Sequence, residues 1–199
     1  MILHDYLPSG NGYKVRWTLA HLGLDYTWRD VDIHSGGTAT DAFRRLNPAG
    51  QVPVLELDDG RTLAESNAII RYLADGSPLV PADPFSHAKM LQWQFWEQYR
   101  HEPAIAVARF IRHYAMDTRA DELPVLTDKG RNALRVMDDH LGKRDWFVGD
   151  TPTLADVSLY AYTHVAGEGG FDLADYPAVE AWLARFEELP GHIAITDRP

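Results

Sequence analysis

The sequence predicts an α/β unit followed by an all-helical one, on three observations. Residues 1–75 give strand and helix signals in the order βαβ, short helix, ββ, α. Residues 76–86, "GSPLVPADPFS", interrupt the pattern with three prolines and read as a linker. Beyond them the apolar residues recur at helical spacing throughout. A chain of 199 residues is long enough for one large domain or two small ones. The expected division is 1–75, linker 76–86, and helical domain 87–199.

Each element has a local reason. "MILHDYL" (1–7) reads as a short strand and "GYKVRWTLAHLGL" (12–24) as a helix closed by Gly23. Val15, Leu19 and Leu22 fall at helical spacing, and Trp17 and Ala20 broaden that face. "DYTWRDVDI" (25–33) alternates apolar and polar residues, a second strand. The strand–helix–strand order implies a parallel pair with a right-handed crossover. "HSGGTAT" (34–40) is a loop, and "DAFRRLN" (41–47) a short helix stopped by Pro48. "QVPVLELDDGRTLAE" (51–65) gives two strands around Asp59-Gly60, a hairpin signal. "SNAIIRYLAD" (66–75) closes the first half as a helix. In the second half helical periods cover 85–116, about 126–142, 154–166 and 177–189, with a kink expected at Pro103.

Composition narrows the function classes. With 45% apolar and 24% charged residues the chain has ordinary globular make-up. No run approaches the ~18–20 apolar residues of a membrane span. The start "MILHDYLPSG" has neither a basic flank nor a long apolar segment, so no secretory signal is expected and a cytoplasmic address fits. Cysteine is absent, which excludes disulfides, thiolate metal ligands and a protein thiol nucleophile. A net charge of −10 argues against nucleic acid as partner, while a local pocket can still take an anionic small ligand. His87, His101, His113, His140, His164 and His192 are scattered and form no metal-binding spacing, so no metal is expected.

Three stretches carry chemistry. In "NPAGQVPVLELDDG" (47–60), Pro53 stands between Val52 and Val54. It either starts or edges a strand, or forms a cis bond that turns the Val52 N–H and C=O outward to pair with an extended peptide. In "AESNAI" (64–69), Ser66 is either a helix N-cap beside an exposed Glu65, or part of a binding site. In the second case its hydroxyl and the helix-start N–H groups take a carboxylate, and Glu65 takes an ammonium. "YLPSGNGYKVRW" (6–17) places small polar residues between strand and helix. It is a plain turn, an anion-binding helix start, or the seat of a catalytic hydroxyl.

Taken in order, "YLPSGNGYKVR", "NPAGQVPVL" and "LAESNAIIRYLA", with "TPTLADVSLYAY" (151–162) in the helical half, resemble the cytosolic glutathione S-transferase family over essentially the whole chain. The likeness is to its bacterial-type, Ser- or Tyr-dependent members. It implies a thioredoxin-like N-terminal domain that binds glutathione as co-substrate, and an all-α C-terminal domain that supplies the acceptor pocket. It also implies a homodimer formed through the Ser66–Tyr72 helix and the long helix after the linker. Carried over by position, Val52 before a cis Pro53 pairs with the cysteinyl backbone, and Glu65 and Ser66 hold the γ-glutamyl head. Gln51 lies near the glycyl end, and His34 contributes to the glycyl carboxylate. The family's catalytic residue is Tyr, Ser or Cys. With Cys absent, Ser9 and Tyr6 remain, Ser9 placed first with Asn11 as helper and Tyr13 as a remoter option. Tyr99, Glu102 and Arg109 are candidates for the acceptor side, although Arg109 equally suits a surface carboxylate. Thr153 and Asp156 form a capping box with a structural role.

The expected activity is addition of the glutathione thiolate to a small apolar electrophile, a detoxification reaction. The alternatives are glutathione-dependent reduction of a disulfide or peroxide, with a second glutathione as resolving thiol, and a non-catalytic interaction module.

Overall fold

The structure is a computed structural model covering residues 1–199. It divides into two compact units, residues 1–77 joined by 189–199, and residues 78–188.

The first unit is built on a four-stranded sheet. Its strands are β1 (Ile2–Asp5), β2 (Thr27–Asp30), β3 (Val54–Glu56) and β4 (Thr62–Ala64), in spatial order β2-β1-β3-β4. β1 and β2 run parallel, as the intervening helix α1 (Gly10–His21) requires. The β3–β4 hairpin turns at Asp59-Gly60, and Gly60 takes a φ of 82° that an L side chain rarely adopts. α2 (Asp41–Leu46) and α3 (Ser66–Leu73) complete the unit, and α3 packs on α1. Leu3, Val15, Leu19, Val54, Leu55, Ile69 and Ile70 are fully buried, one residue set from each layer. A smaller cluster of Val31, Phe43 and Val54 seats α2 with help from Leu46 and Val52. The order and mixed pairing are those of a thioredoxin-like domain.

These compact units differ in their bounds from the expected 1–75, 76–86 and 87–199. Residues 189–199 belong with the first unit, not with the helices that precede them. The reason lies in α1, which presents donors along one side to this segment. Tyr13 Oη donates to the Ile193 carbonyl at 2.7 Å, and Trp17 Nε1 donates to His192 Nδ1 at 3.3 Å. Within the segment expected as linker, helix α4 (Pro84–Trp96) already begins, because Asp83 caps it by accepting from Ser86 N at 2.8 Å and Pro84 supplies the first turn.

The second unit is helical throughout. α4 runs through a π-helical turn (97–101) into α5 (Glu102–Phe110), then through a second such turn (111–115) into α6 (Met116–Arg119). Pro103 has no N–H to give the carbonyl four residues back, and the wider turn directly before it accommodates that loss. Nothing in the sequence of 111–115 explains the second widened turn. α7 (Leu123–Leu141), α8 (Leu154–Thr163) and α9 (Pro177–Glu187) follow, with α5 on α7, α4 on α8 and α7 on α9. Every residue of α8 is buried. Asp156 holds its start: Oδ2 accepts from Thr153 N at 2.8 Å and Thr153 Oγ1 at 3.1 Å, and Oδ1 accepts from Phe147 N and Trp182 Nε1, each at 3.1 Å. The Thr153 hydroxyl oxygen accepts from the first-turn backbone in return, which completes the expected capping box. No helix is long and apolar enough to cross a membrane.

Candidate active site

Strand register brings the separated motifs to one edge of the sheet. His4 of β1 is paired with Val54 of β3, and Val54 in turn with Ala64 of β4. The antiparallel directions then place three things side by side: the segment leaving β1 (Tyr6–Ser9), the segment entering β3 (Val52–Pro53), and the segment leaving β4 (Glu65–Ser66). The N-termini of α1 and α3 lie at the same edge, so the positive ends of both helix dipoles favour negative charge there.

Each segment is held by identifiable contacts. The Val52–Pro53 bond is cis. The loop before it is set by Asn47, a buried residue that sequence reasoning did not single out. Asn47 Nδ2 donates to the Gln51 carbonyl at 2.8 Å, and its Oδ1 accepts from Ala49 N at 3.1 Å. Gln51 itself projects from this loop in an exposed position. The sequence signal for Asn47 is the Asn47-Pro48 pair, a common turn start.

Glu65 is the one non-glycine residue with positive φ, at 67° with ψ 109°. It is exposed, while Ser66 beside it is buried. A carboxylate residue kept in this conformation costs about 1–3 kcal/mol, and such cost collects at functional positions. Ser66 makes no cap bond of the usual kind, because the N-cap position is Glu65 and its side chain accepts nothing from the helix. Instead Ser66 Oγ donates to Asn11 Oδ1 at 3.2 Å.

Asn11 therefore ties the start of α1 to the start of α3. Its Oδ1 also accepts from Lys14 Nζ at 2.9 Å. An ammonium only donates, which fixes the carbonyl oxygen on that side of the amide. Donation from Asn11 toward a ligand must then come from its NH2 group.

Ser9 is the N-cap of α1, with Oγ accepting from Gly12 N at 3.2 Å. That bond uses a lone pair and leaves the hydroxyl proton as the group that donates outward. Tyr6 meets His34: the hydroxyl and Nε2 are 3.2 Å apart and the rings stand edge to face at 5.5 Å. The His34 loop is anchored by Asp32, whose Oδ1 accepts from His34 N and Ser35 N; the Ser35 hydroxyl first, then these two backbone bonds, hold its carboxyl below the usual range. Tyr13 is buried with its hydroxyl on Ile193.

Beneath this corner lies a buried pair, Asp5 and Arg16, with Nε to Oδ2 at 3.0 Å. Burial pushes the Asp5 carboxyl up to about 6 against the pull of the Arg16 guanidinium. The carboxylate rests on Gly12, where a Cβ would overlap it. Gly12→Ala is accordingly expected to displace Asp5 and to cost about 2–3 kcal/mol, measurable as a lowered denaturation midpoint.

The acceptor-side candidates lie in the second unit. Tyr99 is 78% exposed in the first π-helical turn, next to the half-buried Glu102. Arg109 has a carboxylate partner, Nε to Glu168 Oε2 at 2.6 Å, which His113 shares at 2.9 Å.

The two halves match two family models, "Glutathione S-transferase, N-terminal domain" over residues 8–75 and "Glutathione S-transferase, C-terminal domain" over residues 95–190. A maleylacetoacetate isomerase of Pseudomonas aeruginosa is 32% identical over 186 residues, 90% of this chain and 87% of the relative. The chain belongs to the glutathione S-transferase family. A glutathione S-transferase structure from Pseudomonas fluorescens superimposes on this family member with a TM-score of 0.96, at 48% identity and 98% coverage of both chains. Ure2p in complex with glutathione superimposes at 0.87, with 25% identity over 96% of this chain and 90% of the other. The "Disulfide-bond oxidoreductase YfcG" of Escherichia coli is 28% identical over 192 residues, 93% of this transferase-family chain and 89% of the relative.

Proposed function

We propose that this chain binds glutathione at the sheet edge described above and adds its thiolate to a small apolar electrophile. The observation that carries the reading is Glu65 held at φ 67° beside a buried Ser66 at the start of α3. Fold stability alone gives no reason for a side chain there.

In this reading the γ-glutamyl carboxylate takes the Ser66 hydroxyl and the N–H groups of the first turn of α3, and the ammonium takes Glu65. Val52 pairs with the cysteinyl backbone, and the glycyl end runs toward Gln51 and His34. The sulfur then lies at the start of α1. A free thiol titrates near ~8.5, so only a few per cent is thiolate at neutral pH. Ser9 donating to sulfur, aided by the NH2 of Asn11 and the positive end of α1, favours the anion. Each unit of depression corresponds to about 1.4 kcal/mol of preference for thiolate. The proton leaves to solvent, sulfur forms the new bond to the electrophilic carbon, and that carbon's leaving group departs with the bonding pair. Tyr6, set against His34, forms the wall of the corner or replaces Ser9 as donor.

Ser9→Asp separates the two roles of Ser9. Aspartate caps a helix as well as serine does, so stability is expected to hold within about 0.5 kcal/mol. The added anion is expected to raise the bound thiol's pKa by at least roughly one unit, read from ultraviolet thiolate absorbance. An unchanged titration assigns the thiol to Tyr6.

A second reading, glutathione-dependent disulfide reduction, draws on the likeness to the Escherichia coli oxidoreductase. Without protein cysteine, a second glutathione would have to resolve the mixed disulfide. Product analysis decides: a thioether marks transfer, oxidised glutathione marks reduction, and rearranged substrate with no glutathione consumed marks isomerisation. The homodimer belongs to the same proposal, supported by exposed Tyr72 on α3 and exposed Phe85 and Phe95 on α4. Sedimentation as a monomer would contradict it.

A further inference from the structure

We infer that the C-terminal segment Ile193–Asp197 is a support of the thiol corner, acting through Arg16 on the loop that carries Tyr6 and Ser9. The inference rests on the glutathione reading above for its catalytic consequence, but not for its structural content.

Arg16 is fully buried on α1 and makes four hydrogen bonds to three separate pieces of chain. Nε donates to Asp5 Oδ2 at 3.0 Å, at the end of β1. Nη2 donates to the Leu7 carbonyl at 2.6 Å, in the middle of the β1–α1 loop. Nη1 donates to the Ile195 carbonyl at 3.1 Å and the Asp197 carbonyl at 3.2 Å, both in the C-terminal segment. Leu7 lies between Tyr6 and Ser9, so the position of its carbonyl sets where both candidate thiol donors stand.

The tie has the chemistry of a three-way junction. A guanidinium is planar and carries five N–H donors in fixed directions. Buried, each donor needs an acceptor, and Asp5 satisfies only part of the fork. The carbonyls of Ile195 and Asp197 take the two Nη1 donors. If the segment leaves, a buried cation keeps unsatisfied donors, and the nearest relief is a turn of the fork that gives up Leu7. The segment is seated independently by Tyr13 Oη on Ile193, by Arg198 over the Trp28 ring at 6.0 Å, and by its own turn, Ala194 N to Asp197 Oδ2 at 2.8 Å. It therefore arrives at Arg16 with its carbonyls already aimed.

Lysine at this position would keep the charge and lose the fork. Arg16 is thus a positioning residue, and its effect on sulfur passes through Leu7, Tyr6 and Ser9.

The test compares the wild-type chain, Arg16→Lys, a chain lacking residues 193–199, the two changes combined, and Tyr13→Phe as a milder loosening of the segment. Amide hydrogen exchange is followed at Ser9 and Gly12, bonded to Tyr6 O and Ser9 Oγ, with Ile69 on Glu65 O as the reference. Exchange at Ser9 and Gly12 is expected to accelerate in each variant while Ile69 keeps its protection. Bound glutathione is expected to show a thiol pKa raised by at least roughly half a unit, a threefold shift in the thiolate equilibrium, with its dissociation constant unchanged. The combined variant is expected to match the larger single effect, because both changes break one junction. A uniform loss of protection that includes Ile69, or Ser9 and Gly12 exchange as slow as wild type in the truncated and Tyr13→Phe chains, overturns the inference. A wild-type chain that takes up no glutathione overturns the functional reading alone, and the exchange comparison still decides this one.

Discussion

Asp156→Ala is expected to destabilise the helical unit by about 4 kcal/mol near neutral pH, because four buried donors lose their acceptor at once at roughly 1–3 kcal/mol for each group left unsatisfied. Two of them, Thr153 N and the Thr153 hydroxyl, belong to the capping box. The other two, Phe147 N and Trp182 Nε1, tie the incoming loop and α9 to the same carboxylate. The change thus exceeds the ~1 kcal/mol of an ordinary N-cap loss. Burial pushes the Asp156 carboxyl up from 3.8 to about 6, with the hydrogen bonds from Thr153, Phe147 and Trp182 pulling the other way. A folded pKa above the unfolded one means the folded chain binds more protons between these values, so stability falls as pH rises through that window. The variant lacks this slope, and its deficit is expected to be larger at pH 4 than at pH 7, by up to about 3 kcal/mol. Denaturant unfolding at the two pH values reads both effects. Glutathione affinity of the chains that remain folded is expected to be unchanged, since Asp156 lies in the second unit and the proposed glutathione contacts in the first.

Glu65→Gly is expected to move stability and binding in opposite directions. Glycine adopts φ 67° and ψ 109° without the steric cost a Cβ brings, so the variant is expected to gain about 1 kcal/mol in unfolding free energy. The same change removes the carboxylate proposed to hold the glutathione ammonium. An exposed charge-assisted contact of about 1.5 kcal/mol corresponds to a roughly tenfold weaker dissociation constant. Calorimetric titration beside thermal unfolding measures both. A glycine variant that binds glutathione as tightly as wild type would take Glu65 out of the site. A destabilised variant would mean that the Glu65 side chain serves the fold, against the reading built on its φ.

What sequence could foretell follows from the range of the interactions involved. The strands, α1, α3 and the hairpin rest on local periodicity and turn residues, and all are found. The capping box at Thr153 and Asp156 was legible because both partners lie three residues apart. The convergence of Tyr6–Ser9, Val52–Pro53 and Glu65–Ser66 was not readable from any one motif, because it depends on the pairing of His4 with Val54 and of Val54 with Ala64. Family likeness supplied what register later explained. Arg16 and the C-terminal segment escaped for a different reason. An arginine in an amphipathic helix reads as a solvated charge, and the acceptors it meets at Leu7, Ile195 and Asp197 are backbone carbonyls, which leave no signature in residue type. Asn47 was hidden in the same way, since its main partner is the Gln51 carbonyl.

Ultraviolet titration of glutathione bound to the wild-type chain tests the central claim most directly. The account predicts saturable binding and a bound thiol that titrates at least roughly one unit below the ~8.5 of a free thiol. Glutathione that fails to bind, or that binds and still titrates at the free value, would contradict it.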